Sequence, residues 1–221
     1  MSNELLRASL AELIGTFMLV FIGTAAVASG QGVVTAALAH GLILVAIIFI
    51  YAGISGAHVN PAITAAVLVI GKIDIVRAAC YWVAQVIGCI IAAVLVNVII
   101  PNGATAGQTM GSLTAGSVWA AALFEAVLTF FLASAVIQAA VYGRAGNLAP
   151  LAIGLTLAAC ILAGGTYTGA SLNPARTLGP ALIAGNLTYL VPYLIGIFAG
   201  GIVAGVLHMS IFGLTDSAQA R

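Results

Sequence analysis

The chain alternates long apolar runs with short polar or glycine-rich gaps, and the lengths of the runs decide what each can be. Six runs, at 8–29, 33–53, 77–99, 118–141, 148–162 and 187–211, are candidates for helices that cross a hydrocarbon core of ~30 Å. The fifth is short unless its ends extend. Gaps at 30–32, 72–74 and 143–147 separate them, and the longest connection, 101–117, holds four glycines and no charge. Two further apolar runs, 60–70 and 173–184, are only half the required length, ~16–18 Å as helices. Each opens on Asn followed by Pro, a favoured cap with proline in the first helical position, and each stops near a glycine, Gly71 or Gly185. This pattern predicts an all-α membrane protein of six transmembrane helices plus two re-entrant half-helices.

The same pattern occurs twice. Asn60-Pro61-Ala62 returns 113 residues later (60 to 173) as Asn173-Pro174-Ala175, and the offset also maps Glu12 onto Glu125 and Thr16 onto Thr129. It further maps Ala39-His40-Gly41-Leu42 onto Ala152-Ile153-Gly154-Leu155. The chain therefore reads as one transmembrane domain, 1–221, built from tandem repeats at approximately 1–105 and 117–221. Three full crossings per repeat is an odd number, so the second copy must be inverted relative to the first. Inverted repeats with broken helices place their site near the bilayer midplane, where the half-helix ends meet. The non-helical stretches 55–59 and 168–172 survive at that depth only if buried in protein or lining a wet cavity. Gly56, Ala57, His58 and Val59, with Gly169, Ala170, Ser171 and Leu172, are expected to offer rows of carbonyls to a polar pathway.

Composition narrows the alternatives. The chain is 63% apolar and 5% charged, against an ordinary ~25% charged for soluble domains, so it could not cover a water-facing surface. A net charge of +1 with no basic stripe argues against a nucleic-acid partner. Cys80, Cys89 and Cys160 have neither metal-ligand nor disulfide spacing and read as small buried hydrophobes. No cofactor, metal or cleavable signal peptide is expected. Arg7, Lys72, Arg77, Arg144 and Arg221 all fall on the side shared by both termini, which the positive-inside rule makes cytoplasmic.

Arg176 is the exception, a cation inside a half-helix, where the first copy has Ile63. At that depth a charge is functional by default. Asn60 and Asn173 are expected to cap their helices while pointing amide donors at one spot. Glu12 and Glu125 are expected to accept hydrogen bonds from amides of the non-helical stretches, the alternative being a proton or cation site. His40, matched by Ile153, is expected to line the pathway, His58 to brace the re-entrant turn and His208 to sit at the interface. Gly196, Gly200, Gly201 and Gly205 form two Gly-x-x-x-Gly pairs suited to close helix packing.

Ser-Gly-Ala-His-Val-Asn-Pro-Ala, Thr-Gly-Ala-Ser-Leu-Asn-Pro-Ala-Arg and the paired Glu-x-x-x-Thr-Phe openings resemble the aquaporin (major intrinsic protein) family over nearly the whole chain. The resemblance implies a right-handed bundle with one pore per subunit, four subunits per assembly, and a filter at His40, Ile161, Ala170 and Arg176. That set is similar to tonoplast-intrinsic relatives, some of which also pass ammonia, urea or hydrogen peroxide. Glycerol facilitators carry an Asp after the arginine and a basic residue four further on; here these are Thr177 and Ala181. The implied function is a passive channel for water and small neutral solutes, excluding protons and ions, in a lipid bilayer. Short tails suggest a prokaryotic plasma membrane. Two other readings remain open: an ion-coupled secondary transporter using Glu12 or Glu125, and an intramembrane serine protease using Ser55 of Gly53-Ile54-Ser55-Gly56 with His208.

Overall fold

The computed structural model describes residues 2–213; Met1 and 214–221, with Arg221 of the basic set, lie outside the described residues. The full crossings are α1 (Asn3–Ala28), α2 (Val33–Ser55), α4 (Ile75–Ile99), α7 (Val118–Ala135, continued by a π-wound turn Val136–Val141), α8 (Ala149–Thr168) and α10 (Leu190–Ser210). All six are long and apolar enough to span a bilayer. Between them lie the half-helices α3 (Pro61–Val69) and α9 (Pro174–Ala184) and the short helices α5 (Gly103–Ala106) and α6 (Ser112–Gly116). The half-helices contain 9 and 11 residues, a rise of ~14 and ~17 Å. Among the described residues there is no strand.

α1 begins at Asn3 and not at 8, α10 at Leu190 and not at 187, and two larger differences from the sequence pattern have a physical cause. The fifth crossing does not end at 162 but continues to Thr168, because Gly164 and Gly165 are covered by Phe124 and Leu128 of α7 and Val33 of α2. Packing keeps both glycines helical, and the chain breaks only at Gly169, whose φ is +80°. The connection 101–117 is not plain loop: without charges to solvate, it folds into α5 and α6, which pack on α1, α4 and α9 and on α7 and α8 respectively. Cys80 also departs from expectation in being partly exposed, whereas Cys89 and Cys160 are buried.

The packing is an inside-out version of a soluble core. Large apolar side chains such as Val98 and Leu42 point outward, while Glu12, Glu125, Asn60, Asn173, His40 and Arg176 are all buried. A bilayer accepts the first group and penalises the second unless protein or water satisfies it. α1 packs with α4, α7 with α10, and α2 with α8 across the repeats. At this last crossing the two repeat-equivalent glycines meet. A Cβ on Gly41 would lie 2.7 Å from the Gly154 carbonyl oxygen, and one on Gly154 would lie 2.6 Å from that of Gly41. Equivalent residues touching each other place the pseudo-two-fold relation between the copies at this point. The Gly-x-x-x-Gly pairs of α10 divide their work: Gly196 and Gly200 admit the Ala122 and Ala126 carbonyls of α7, while Gly201 and Gly205 admit those of Ala62 and Ala66 in α3.

Local caps fit the ends. Asp74 Oδ1 accepts from the Arg77 amide at 2.9 Å to start α4, a bond that holds this loop carboxyl below its ordinary pKa. The Arg77–Glu4 pair at 2.7 Å brings the starts of α1 and α4 to one end of the bundle. Arg144 donates to the Phe212 carbonyl, which brings the 142–148 connection and the end of α10 together.

Gly154→Val should force α2 and α8 apart, an overpacking cost of about 1–3 kcal/mol. Unfolding in detergent micelles measures this against lipid-facing Leu42→Ala, which should stay close to wild type.

Candidate functional site

The pathway begins with backbone that could not stand alone. After α2 the chain passes through Gly56 (φ +90°), Ala57 (+50°) and Val59 (+42°); after α8 it repeats the course through Gly169 (+80°), Ala170 (+41°) and Leu172 (+54°). Left-handed φ at a β-branched residue such as Val59 is a true outlier, costing on the order of 1–3 kcal/mol. Two buried carboxylates hold these stretches. Glu12 Oε1 accepts from Ser55 Oγ (2.7 Å) and the His58 amide (2.9 Å), and its Oε2 from the Val59 amide (2.6 Å) and Gln85 Nε2 (2.7 Å). Glu125 Oε1 accepts from Thr168 Oγ1 (2.7 Å) and the Ser171 amide (2.9 Å), and its Oε2 from the Leu172 amide (2.8 Å). Tyr81 and Tyr193 complete the clamp by donating to the carbonyls of Ser55 (2.7 Å) and Thr168 (2.9 Å).

The half-helices meet through their caps. Asn60 Oδ1 accepts from the Ala62 amide and Asn173 Oδ1 from those of Ala175 and Arg176. Their amide nitrogens cross over: Asn60 Nδ2 donates to the Leu172 carbonyl at 2.8 Å, and Asn173 Nδ2 to the Val59 carbonyl at 2.9 Å. Proline follows each cap, so Pro61–Ala62 and Pro174–Ala175 form the first turns, all buried. The crossed bonds lock one N-terminus to the other. They also modify the expected carbonyl rows, since Val59 and Leu172 turn their oxygens to an asparagine. The carbonyls of Gly56, Ala57, His58, Gly169, Ala170 and Ser171 accept no hydrogen bond from the described residues.

Beside this point lies the charged position. Arg176, buried, donates through Nε to His40 Nε2 (3.1 Å) and through Nη1 to the Gly107 carbonyl (2.7 Å). His40 Nδ1 lies 2.7 Å from the Ala36 carbonyl, an acceptor only, so Nδ1 carries the proton and Nε2 is free to accept from the arginine. Two cavities meet at this pair. The inner one, about 60 Å³, is walled by Gly56 to Asn60, Ser171 and Asn173 with apolar side chains such as Leu44, Val136 and Ile153. The outer one, about 310 Å³, is walled by Ile161, Gly169, Gln108 and Met110 among others. Both include His40 and Arg176. Ala170 is buried and forms part of neither wall; Gly169 takes that place on the outer side.

Several participants escaped the sequence pattern. Thr109 Oγ1 donates to Thr177 Oγ1, which donates to Ser171 Oγ, which donates to the Asn173 carbonyl, a hydroxyl chain from the outer connection to the midplane. Gln85 has no polar counterpart in the second copy. Tyr81 and Tyr193 lie 112 residues apart instead of 113, so the repeat offset does not pair them, although their acceptors are equivalent. Ser55 Oγ donates to Glu12 and accepts from the Ala57 amide at 3.0 Å, and His208 faces Gln138, so the protease pairing does not form.

A membrane-spanning bundle whose half-helices abut beside two cavities defines a polytopic channel. The family model for major intrinsic proteins matches residues 1–208. "Probable aquaporin TIP1-2" of Oryza sativa subsp. japonica is 39% identical over 93% of this chain and 86% of its own length. "Aquaporin TIP1-1" of Zea mays is 39% identical over 94% and 87%, and "Aquaporin TIP2-3" of Arabidopsis thaliana 37% over 98% and 92%. The crystallised aquaglyceroporin of Plasmodium falciparum superimposes with a TM-score of 0.85 at 23% identity, covering 98% of this chain and all of that one, a likeness of fold. The chain belongs to the major intrinsic protein family, whose members are channels and not enzymes.

Removing either carboxylate should strand buried amides at about 1–3 kcal/mol each. Glu12→Ala, which also deserts Gln85, should lower stability more than Glu125→Ala, and Glu125→Gln should fall between wild type and Glu125→Ala. Denaturant titration in micelles orders the three.

Proposed function

We propose that this channel conducts water passively and without coupling, with ammonia, urea and hydrogen peroxide as further candidate permeants. The observation that carries the reading is the set of carbonyls from Gly56 to His58 and from Gly169 to Ser171 that no donor among the described residues reaches. Carbonyls of non-helical backbone at membrane depth require partners, and a file of water supplies them. At the midplane each asparagine spends its oxygen on its own helix and one N–H on the opposite stretch, so only donors remain for the lumen. A water there presents its oxygen inward and its hydrogens to either side, which interrupts a proton wire. The positive ends of α3 and α9 and the Arg176 guanidinium repel cations, in keeping with the barriers general to such pores.

The relatives' names, aquaporins all, support water over a coupled transporter, as does the engagement of Glu12 and Glu125 by donors on both oxygens. His40, Ile161 and Arg176 act as the filter in this proposal, with Gly169 in the place expected of Ala170. Thr177 and Ala181 weigh against glycerol. The functional unit is residues 1–221 as a single domain, assembled as a homotetramer, with both termini cytoplasmic. The named relatives are plant TIP proteins, which speaks against the prokaryotic plasma membrane suggested by the short tails and favours the tonoplast implied by that name.

Stopped-flow light scattering on proteoliposomes should show osmotic water permeability at least about tenfold above empty vesicles; equality despite folded protein refutes the reading. Arg176→Val should raise urea and glycerol flux several-fold, and unchanged fluxes from a folded variant would remove Arg176 from the lumen.

A further inference from the structure

The two acceptors that fix Arg176 are themselves backed by adjacent residues of α1. A Cβ built on Gly23 would overlap the His40 imidazole: its nearest neighbours are Nε2, Cδ2 and Cε1 of that ring. The other glycines buried between helices have nearest neighbours on backbone or on several different residues; here all three belong to one imidazole. Next along the helix, the γ-methyl of Thr24 packs against Gly107 so closely that no Cβ would fit there, and the Gly107 carbonyl is the second acceptor of the arginine. Thr24 is fully buried and its hydroxyl has no partner among the described residues, so its contribution at this point is shape.

The repeat supplies an internal comparison. At the 113-residue offset Gly23 and His40 correspond to Val136 and Ile153. In the second copy both positions carry branched apolar side chains, and both line the inner cavity. In the first copy the α1 position is emptied and the α2 position carries an imidazole, no bulkier than isoleucine but longer in reach and polar at its tip. A histidine at position 40 with any side chain at 23 would have its ring displaced from between Ala36 and Arg176, and the open direction is the lumen.

We infer that Gly23, with Thr24 beside it, is a positioning and specificity-determining residue of the constriction: it seats the His40 imidazole against the wall, and through it the Arg176 guanidinium. This rests on the water-channel reading for its effect on flux, though not for its effect on the imidazole.

The test compares wild type, Gly23→Ala, His40→Ala and Gly23→Ala/His40→Ala in proteoliposomes, with folding followed by size exclusion and circular dichroism. Gly23→Ala should cut water permeability about threefold or more, as the displaced ring enters the lumen. The double variant should conduct within about twofold of His40→Ala, because without the imidazole the added methyl has nothing to displace. A loss that persists in the double variant is a packing defect of α1 and overturns the inference, as does a folded Gly23→Ala with wild-type flux. In parallel, the imidazole ¹⁵N spectrum of His40 reports its bonds to Ala36 and Arg176 directly. It should change in Gly23→Ala and stay at wild type in Thr24→Val, which keeps the γ-methyl. If wild type conducts no better than empty vesicles, the water-channel reading fails while this spectrum still decides the seat: an unchanged Gly23→Ala spectrum overturns it.

Discussion

Irregular backbone deep in a bilayer must have every amide answered from within the protein, and the rest of this structure follows from how that is done. Glu12 and Glu125 each collect the amides of one stretch together with a hydroxyl from the residue that ends the preceding helix. Carboxylates are costly at this depth in isolation, but with both oxygens engaged they convert a left-handed, strained course into a fixed one. The donors being consumed inside the wall, what remains for the pathway is a row of acceptors.

The half-helices stop where those stretches deliver them, and the crossed asparagine bonds make their meeting point a single rigid node. One amide group thereby performs two tasks, capping its own helix and tying down the opposite stretch. The positive helix ends are brought together by these bonds in spite of their mutual repulsion.

On this symmetric frame a few buried groups are asymmetric. Arg176 stands where the first copy has Ile63, His40 where the second copy has Ile153, and Gly23 where it has Val136, and the three lie against one another. Gln85 and Thr109 likewise serve one copy only, each adding a donor to a threonine whose contact with the preceding stretch recurs in both copies, Thr64 with His58 and Thr177 with Ser171. The duplicated core supplies a pathway, and its two ends are differentiated by a few substitutions that exchange apolar bulk for charge and hydrogen bonding. The hydroxyl chain and the Gly107 carbonyl further show the 101–117 connection acting as part of the wall, since the residue that ends α5 carries an acceptor to the arginine and Thr109 a donor to Thr177.

Much of this was legible in the chain, because its strongest constraints are local or periodic. Run lengths against bilayer thickness marked six crossings and two half-crossings, Asn-Pro marked the start of each half-helix, and the offset paired Glu12 with Glu125 and singled out Arg176 and His40 by their apolar counterparts. What could not be read depends on which distant atoms come within hydrogen-bond reach. The continuation of α8 through Gly164 and Gly165 rests on side chains from α2 and α7, the clamps of Tyr81 and Tyr193 are out of register by one residue, and the turning of the Val59 and Leu172 oxygens to asparagines was visible only once the copies faced each other. The seat that Gly23 makes for His40 is of the same kind, because an absent side chain has meaning only through the group that fills its space. Sequence by itself determined the six crossings, the two half-helices and the repeat, as these follow from hydropathy and helix geometry along the chain; the tertiary structure alone decided the two short helices and the hydrogen-bond partners, as these follow from contacts between residues far apart in that chain.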